Sequence, residues 1–148
     1  MTPRQRAYWA GQIRLAAAAW GISAASAEEI DARGIIAATR LAMARALEAC
    51  GCQAEHLLID ALRLPGVKLP QQALIKGDAR SLSIAAASVL AKTARDAWMV
   101  ALGETYPEYG FAAHKGYGTR VHREALARLG PCPEHRRSYA PLRRLEFP

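Results

Sequence analysis

Cysteine is scarce in this sequence of 148 residues, which contains three cysteines: Cys50, Cys52 and Cys132. An odd and sparse set of this kind argues against a disulfide framework and for a reducing compartment. Long apolar runs are also missing, since no stretch approaches the roughly 20 residues that span a bilayer. The first residues, MTPRQRAYW, lead into an amphipathic segment broken by Arg14, so no signal peptide is predicted. These absences predict a cytoplasmic protein that does not enter a membrane.

Acidic side chains are the minority charge. The sequence has 13 Asp and Glu residues against 20 Lys and Arg residues, which gives a formal net charge of +7. An excess of positive charge favours a polyanionic partner such as nucleic acid, although it is a weak signal by itself. Hydrophobic residues make up 51% of the chain and charged residues 22%, a balance typical of a globular protein. The length corresponds to one domain or to part of one.

Helical patterns fill most of the chain. Predicted helices cover residues 3–21, 26–33, 36–50, 81–105 and 119–129. The first begins with Thr2 as N-cap and Pro3 at the first helical position, and the second begins with a capping box that opens on Ser26. The apolar spacing of the first helix predicts a buried face made of Trp9, Ile13, Ala16 and Trp20. After Gly130 the sequence becomes a tail rich in proline and arginine.

Two short strands are predicted between these helices. The apolar run at residues 56–60 is typical of a buried strand that finishes on the carboxylate of Asp60. A second strand is predicted at residues 73–76, where Gly77 ends it. Helices around short buried strands indicate an α/β layered fold. Two strands alone make a marginal sheet.

One face of the alanine-rich helix carries polar groups. Ser88, Lys92 and Asp96 follow one another at four-residue spacing, which places a hydroxyl, an amine and a carboxylate on the same side of the helix. A helix carboxylate that faces the strand-end carboxylate of Asp60 could hold a hard divalent cation such as Mg²⁺. The alternative is an exposed Lys92–Asp96 pair with Asp60 as a turn residue, and spacing alone favours this alternative.

A glycine-rich loop precedes the last helix. Its sequence, HKGYGT at residues 114–119, combines two glycines with Lys115, Tyr117 and Thr119. Glycines let backbone amides approach a phosphate, and a tyrosine beside basic residues suits stacking on a sugar or a base. Packing of the Tyr117 ring against the protein explains the same residue equally well.

Four segments carry a resemblance to a known family. They are LIKGDARSLSIAAASVLAKTARD at residues 74–96, YPEYGFAAHKGYGT at 106–119, HREALARLGPCPEHRRSYAP at 122–141 and AWGISAASAEEIDARGIIAATRLAM at 19–43. In their order along the chain, these segments resemble the C-terminal two thirds of ribonuclease HII, the type 2 bacterial ribonuclease H. The resemblance implies an α/β, ribonuclease H-like fold that is truncated at its N-terminus and is therefore rich in helices with few strands. It also implies one partial domain over 1–148, in which 119–148 form a C-terminal helix and a basic tail.

The resemblance assigns roles to individual residues. Asp60 matches the third of the four catalytic, metal-binding carboxylates of the family and Asp96 matches the fourth. Tyr117 matches the tyrosine that contacts the sugar at an RNA–DNA junction. The residues predicted to contact nucleic acid with Tyr117 are Lys115, Thr119, Lys92 and Ser88.

The implied reaction is phosphodiester hydrolysis assisted by two Mg²⁺ or Mn²⁺ ions. Its substrates are RNA–DNA hybrids and duplex DNA that contains ribonucleotides, cut on the 5′ side of a ribonucleotide, and no obligate protein partner is predicted. The family motif Asp-Glu-Ala-Gly-Arg-Gly, which supplies the first two carboxylates, does not occur in this sequence. An inactive fragment that only binds nucleic acid is therefore the alternative function.

A third alternative is a zinc module made of Cys50, Cys52, Cys132 and His135. The Cys-x-Cys spacing is unusual for structural zinc, which makes this the weakest of the three. The tail arginines are predicted mostly to face solvent rather than to contact phosphates; they are Arg136, Arg137, Arg143 and Arg144.

Overall fold

The computed structural model describes residues 1–143, so the tail residue Arg144 lies outside the described part. The helices are α1 (Pro3–Ala16), α2 (Ala27–Arg33), α3 (Ile35–Cys50), α4 (Leu82–Thr105), α5 (Phe111–His114), α6 (Arg120–Leu129) and α7 (Ala140–Arg143). The strands are β1 (Leu57–Asp60) and β2 (Gln71–Leu74), and short 3-10 turns cover Gly77–Ala79 and Pro107–Tyr109. The predicted α/β fold with many helices and few strands is confirmed.

The chain divides into two compact units, and each takes two separate stretches of sequence. Unit 1 consists of residues 1–25 and 36–94. Unit 2 consists of residues 26–35 and of the chain from residue 95 onward. Helix α4 passes from unit 1 into unit 2 at Ala94. Within residues 1–143, no helix combines the length and the apolar character needed to cross a bilayer.

Helix α1 begins as predicted but ends early. The Thr2 hydroxyl accepts a hydrogen bond from the backbone N–H of Gln5 at 3.2 Å, and the Gln5 side chain accepts one from the Thr2 N–H at 2.8 Å. The predicted end at Gly21 is wrong, because Ala17 turns to an extended conformation while its N–H still donates to the Ile13 carbonyl. Alanine propensity alone therefore extends the helix too far.

The predicted buried face of this segment is also wrong. Trp9 is 49% exposed and Trp20 is 43% exposed, whereas the buried residue of α1 is Ala10. Trp20 lies beyond the end of the helix, and its ring packs instead under the guanidinium of Arg14, whose Cζ is 5.1 Å from the ring centroid. The aromatic spacing predicted a stripe that the early end of α1 breaks.

The two strands form a parallel pair. Leu57 lies opposite Gln71, and Asp60 lies opposite Leu74 at the carboxyl ends of the strands. Strand β1 matches its predicted position to one residue. Strand β2 begins two residues earlier than predicted and ends at Leu74, after which Lys76 adopts a left-handed conformation with φ of 53°.

The connection between the two parallel strands is unusually short. Parallel neighbours usually need a crossover of a dozen or more residues, whereas residues 61–70 make this link without a helix. The side-chain amide of Gln71 accepts from the Leu64 N–H at 2.8 Å and donates to the carbonyls of Leu64 and Val67 at 2.9 and 2.8 Å. This one side chain thus satisfies three backbone groups of the link.

Unit 2 has a hydrophobic core that includes aromatic rings. Its buried members are Met99, Leu102, Tyr109, Phe111, Ala125, Leu126, Cys132 and Leu142. The rings of Tyr109 and Phe111 are stacked with their centroids 5.3 Å apart, so two aromatic residues of the predicted loop at 106–111 lie in the core. The Tyr109 hydroxyl donates to the Gly130 carbonyl at 2.7 Å, and burial raises the pKa of Tyr109.

Asp31 of helix α2 attaches the C-terminal tail to unit 2. Its carboxylate accepts from the backbone N–H groups of Arg137 and Ser138 at 2.8 and 3.0 Å, and from the Ser138 hydroxyl at 2.5 Å. Desolvation raises the pKa of this carboxyl, but the hydrogen bonds from Ser138 and Arg137 outweigh it and hold the pKa below 3.8. The backbone at Arg137 and Ser138 is therefore anchored, while Arg137 and Arg143 are exposed, as the sequence predicts for the tail arginines.

Candidate functional site

Asp60 lies at the carboxyl end of β1, as the sequence predicts. The residue is exposed, and its Oδ1 accepts a hydrogen bond from the backbone N–H of Gly77 at 2.9 Å. The next residue, Ala61, has φ of 55°, a left-handed conformation that is strained for alanine. The chain thus turns sharply after Asp60 and leaves the carboxylate at the end of the sheet.

The turn at Gly77 leaves little room for a side chain. A Cβ on this residue would lie 2.6 Å from Cδ1 of Ile84 and 3.3 Å from Oδ1 of Asp60. Both distances are shorter than ordinary van der Waals contact. The absence of a side chain at Gly77 therefore lets the turn after β2 approach the Asp60 carboxylate closely.

The polar residues of helix α4 fall as predicted along one continuous helix. Ser88 is exposed, while Lys92 and Asp96 are half-buried. Asp60 and Lys92 belong to unit 1, whereas Asp96 belongs to unit 2. The joint action of Asp60 and Asp96 at one metal site therefore stays a prediction.

Arg95, which the sequence analysis did not single out, carries the charge next to Asp96. Burial, followed by the nearby Arg136, lowers the pKa of the Arg95 guanidinium, while the Asp96 carboxylate acts in the opposite direction. Its Nη2 lies 3.6 Å from the position that a Cβ of Gly116 would take. Unit 2 therefore places the Arg95 guanidinium, which adjoins Asp96 in the chain, beside the glycine-rich loop that carries Tyr117.

The glycine-rich loop is tightly bonded, yet its tyrosine ring faces outward. The Tyr117 N–H donates to the His114 carbonyl at 2.9 Å, and the Thr119 N–H donates to the Tyr117 carbonyl at 2.7 Å. The Gly116 N–H donates to Nδ1 of His114 at 3.2 Å. Tyr117 is nevertheless 64% exposed, so its ring is not part of the unit 2 core.

Lys115 and Thr119 have bonds within the protein. The Lys115 ammonium donates to the Ala112 carbonyl, and Lys115 adopts a left-handed conformation with φ of 52°. The Thr119 hydroxyl oxygen accepts from the His122 N–H at 3.3 Å, which makes Thr119 the N-cap of α6. A hydroxyl that accepts such a bond keeps its own proton for donation, so the predicted phosphate contact of Thr119 is compatible with its capping role.

Three buried histidines surround the base of this loop, and the sequence analysis did not recognise their role there. His114, His122 and His135 are each 8–9% exposed. The rings of His114 and His122 are stacked with centroids 4.3 Å apart, and Nε2 of His122 lies 3.1 Å from Nε2 of His135. The signal in the sequence is that His122 extends the stripe of Ala125 and Leu126 on α6, which puts it on the buried face of that helix.

The described residues offer the right kind of ligand for a hard cation, but too few of them together. Carboxylates such as those of Asp60 and Asp96 are the donors that Mg²⁺ and Mn²⁺ prefer. Across residues 1–143, no three or more histidine, cysteine, aspartate or glutamate side chains are grouped so that they could hold a metal ion. The four zinc candidates are included in that range, with Cys50 and Cys52 in unit 1 and Cys132 and His135 in unit 2. The zinc alternative thus has no site among these residues.

Comparison with known proteins identifies the family of the chain. The family model described as Ribonuclease HII matches residues 1–143. The chain is 55% identical to the ribonuclease HII of Chromohalobacter salexigens over 147 residues, which are 99% of this chain and 74% of that protein. It is 57% identical to that of Geobacillus kaustophilus over 97% of this chain and 55% of the relative. For the relative from Roseiflexus castenholzii the identity is 53%, over 96% and 63% respectively.

The chain belongs to the ribonuclease HII family.

The matched region contains every residue that the sequence analysis assigned to the site. The ribonuclease HII model spans both aspartates, the polar face of α4 and the glycine-rich loop at residues 114–119. The chain covers between 55% and 74% of the length of these ribonuclease HII relatives, and less than two thirds of the second and third.

Proposed function

We propose that this chain carries part of the active site of an endonuclease of the ribonuclease H type. Its substrates are RNA–DNA hybrids, in which the RNA strand is hydrolysed, and duplex DNA that is cut on the 5′ side of an embedded ribonucleotide. The observation that supports this function best is the position of Arg95, which adjoins Asp96 in the chain and lies close to Gly116, next to the exposed Tyr117. We further propose that residues 1–148 belong to one partial domain, ending in the helix and basic tail at 119–148, and that it acts in the cytoplasm.

In this proposal Asp60 and Asp96 are two ligands of Mg²⁺ or Mn²⁺. Bound ions of this kind activate a water molecule and stabilise the oxygen that leaves the phosphate. The hydrogen bond from the Gly77 N–H holds the Asp60 carboxylate in one orientation before any ion arrives. The two aspartates are half of the four carboxylates that the family resemblance implies.

The remaining residues act on the nucleic acid. The exposed ring of Tyr117 offers a flat surface to a sugar at the junction between RNA and DNA. The guanidinium of Arg95 adds positive charge beside the loop of this ring and next to Asp96, which favours the approach of a phosphate group. Contacts of this kind to phosphates fix the register of the duplex without reading its sequence.

A second candidate function is binding of the same duplexes without cleavage. It is favoured by the lack of a group of three metal-binding side chains within residues 1–143 and by the absence of Asp-Glu-Ala-Gly-Arg-Gly from the sequence. The net charge of +7 and the exposed Tyr117 serve this function equally well.

A cleavage assay separates the two functions. The 148-residue chain, and the same chain fused after the N-terminal segment of the Chromohalobacter salexigens relative, are incubated with a labelled DNA duplex containing one ribonucleotide, in Mg²⁺ or Mn²⁺. An endonuclease cuts in at least one of these forms, and Asp96→Asn abolishes the cutting while Glu104→Gln, a matched change on the same helix, leaves it intact. Binding of the duplex without cutting in either form supports the second candidate. Neither binding nor cutting contradicts both.

A further inference from the structure

The carbonyl oxygen of Tyr117 receives two hydrogen bonds, one from the loop and one from a histidine. The Thr119 N–H donates to it at 2.7 Å, and Nδ1 of His122 lies 3.0 Å from it. His122 is itself fixed by its backbone N–H, which donates to the Thr119 hydroxyl at 3.3 Å. The buried side chain of His122 thus connects the first turn of α6 to the backbone of Tyr117, whose ring is exposed.

The hydrogen-bond partners assign one proton position to each ring of the His122–His135 pair. Nδ1 of His135 accepts from the Cys132 N–H at 3.0 Å, so the proton of a neutral His135 is on Nε2. That proton is donated to Nε2 of His122 over 3.1 Å. His122 therefore carries its own proton on Nδ1 and donates it to the Tyr117 carbonyl. Every bond in this chain is satisfied by neutral imidazoles.

His114 holds the other side of the loop in the same way. Its Nδ1 accepts from the Gly116 N–H at 3.2 Å, and its Nε2 donates to the Tyr109 carbonyl at 2.7 Å. Its ring is stacked on that of His122 with an interplanar angle of 13°. The residues before and after Lys115 are thereby anchored to a buried surface, while the Tyr117 ring itself remains exposed.

We propose that His122 is a positioning residue for Tyr117. Its Nδ1–H donates to the Tyr117 carbonyl, fixes the loop at residues 115–119 and so presents the tyrosine ring to the sugar of a bound duplex. The role toward nucleic acid rests on the function proposed above, whereas the role in fixing the loop does not depend on it.

Two substitutions distinguish the hydrogen bonds of the two ring nitrogens of His122. Asparagine places an amide N–H close to the position of Nδ1, so His122→Asn keeps the bond to the Tyr117 carbonyl and loses the one from His135. Glutamine reaches the position of Nε2, so His122→Gln keeps the contact with His135 and loses the one to Tyr117. Both variants remove the ring that stacks on His114, which makes each the control for the other.

The readouts are backbone amide exchange at Thr119, measured by NMR on the 148-residue chain, and affinity for a labelled DNA duplex that contains one ribonucleotide, measured by fluorescence anisotropy. The loss of one hydrogen bond corresponds to about a tenfold effect. We expect His122→Gln to speed exchange and to weaken binding by about this factor relative to His122→Asn. Equal values for the two variants would overturn the proposal.

The wild-type chain gives a further test that needs no variant. Nitrogen-15 NMR of the imidazoles distinguishes the two tautomers, and we expect the His122 proton on Nδ1 and the His135 proton on Nε2. A His122 proton on Nε2 would contradict the donation to Tyr117. Tyr117→Ala separates this proposal from the previous one: if it leaves the affinity for the duplex with one ribonucleotide unchanged, the proposed function fails, while amide exchange and the tautomers still decide the role of His122.

Discussion

Gly77 donates its backbone N–H to Oδ1 of Asp60 over 2.9 Å. The bond joins the last residue of β1 to the turn that follows β2, whose last residue, Leu74, lies opposite Asp60 in the parallel pair. The carboxylate is therefore oriented by a neighbouring chain segment as well as by its own strand. Any change that moves this turn also moves the side chain proposed as a metal ligand.

Gly77→Ala is expected to destabilise the protein. The added methyl group would meet Cδ1 of Ile84 at 2.6 Å and press on the Asp60 carboxylate, and overpacking of this kind costs about 1–3 kcal/mol. Gly66→Ala is the matched control, because no heavy atom lies within 4 Å of the added Cβ there. Chemical denaturation followed by circular dichroism measures both variants. A free energy of unfolding that is the same for both would show that the turn moves aside at little cost.

Mild acid is expected to destabilise the folded chain through its buried histidines. Burial is the main cause that lowers the pKa of both His122 and His135 below the ordinary 6.5, so the unfolded chain binds protons more readily than the folded one. Stability is thus greatest above about pH 6.5 and falls as the pH drops from there toward the lowered values.

Thermal unfolding between pH 8 and pH 5.5 tests this dependence. We expect the midpoint to fall across the acid part of that range in the wild-type chain, and to fall less in His122→Asn. The control is His56→Asn, which changes an exposed histidine. A wild-type midpoint that does not vary with pH would contradict the neutral histidine network.

Asp31→Asn is expected to loosen the attachment of the tail. The variant weakens three hydrogen bonds to Arg137 and Ser138, and bonds to a charged group contribute about 1.5–3 kcal/mol. Because the site is only partly shielded from water, we expect a loss near the lower end, about 1.5 kcal/mol. Glu28→Gln on the same helix is the control. Proteolysis at the tail that is equally slow in both variants would count against the anchoring role.

Tyr117→Ala is expected to slow cleavage at a single embedded ribonucleotide by roughly one to two powers of ten, because stacking contributes about 1–3 kcal/mol. The measurement uses whichever form of the chain cuts this duplex. Cleavage within a continuous hybrid is expected to fall less, because the following sugar there is a ribose. Lys115→Ala provides the comparison: it is expected to weaken both substrates alike and to reduce the dependence on salt. An equal loss on both substrates in Tyr117→Ala, with a lower melting temperature, would indicate a structural role for the ring.

The helices could be predicted from the sequence where local chemistry sets their ends. Thr2 and Ser26 each cap the helix that follows with a side-chain oxygen, and both helices begin where these residues predict. The end of α1 could not be predicted in this way, because residues beyond Ala16 have strong helix propensity and no sequence signal stops them. Strand β2 was misplaced for a related reason, since it begins on the polar Gln71, and pairing with β1 rather than hydropathy defines its register.

The residues of the candidate site also differ in whether local sequence patterns predict them. Asp60 at a strand end, the spacing of Ser88, Lys92 and Asp96, and the glycine-rich loop are patterns within short segments, and the structure has them on the predicted elements. Arg95 and the histidine network depend on contacts between segments. Histidine occurs both in cores and on surfaces. Its residue type therefore gives no indication that the rings of His122 and His135 are hydrogen-bonded to each other.

The hydrogen bond between Asp31 and Ser138 joins an early and a late part of the chain, because the two residues are 107 positions apart. It can therefore form only late in synthesis. Unit 2 is built from residues 26–35 and from the chain beyond residue 94, so its first segment leaves the ribosome long before its last. At translation rates of about 5–20 residues per second, helix α2 waits between roughly 5 and 20 s for its partner. During that interval the residues of unit 1 up to Ala94 are complete. Folding on the ribosome is therefore expected to begin in unit 1. Unit 2 can fold completely only after Ser138 has emerged from the ribosome.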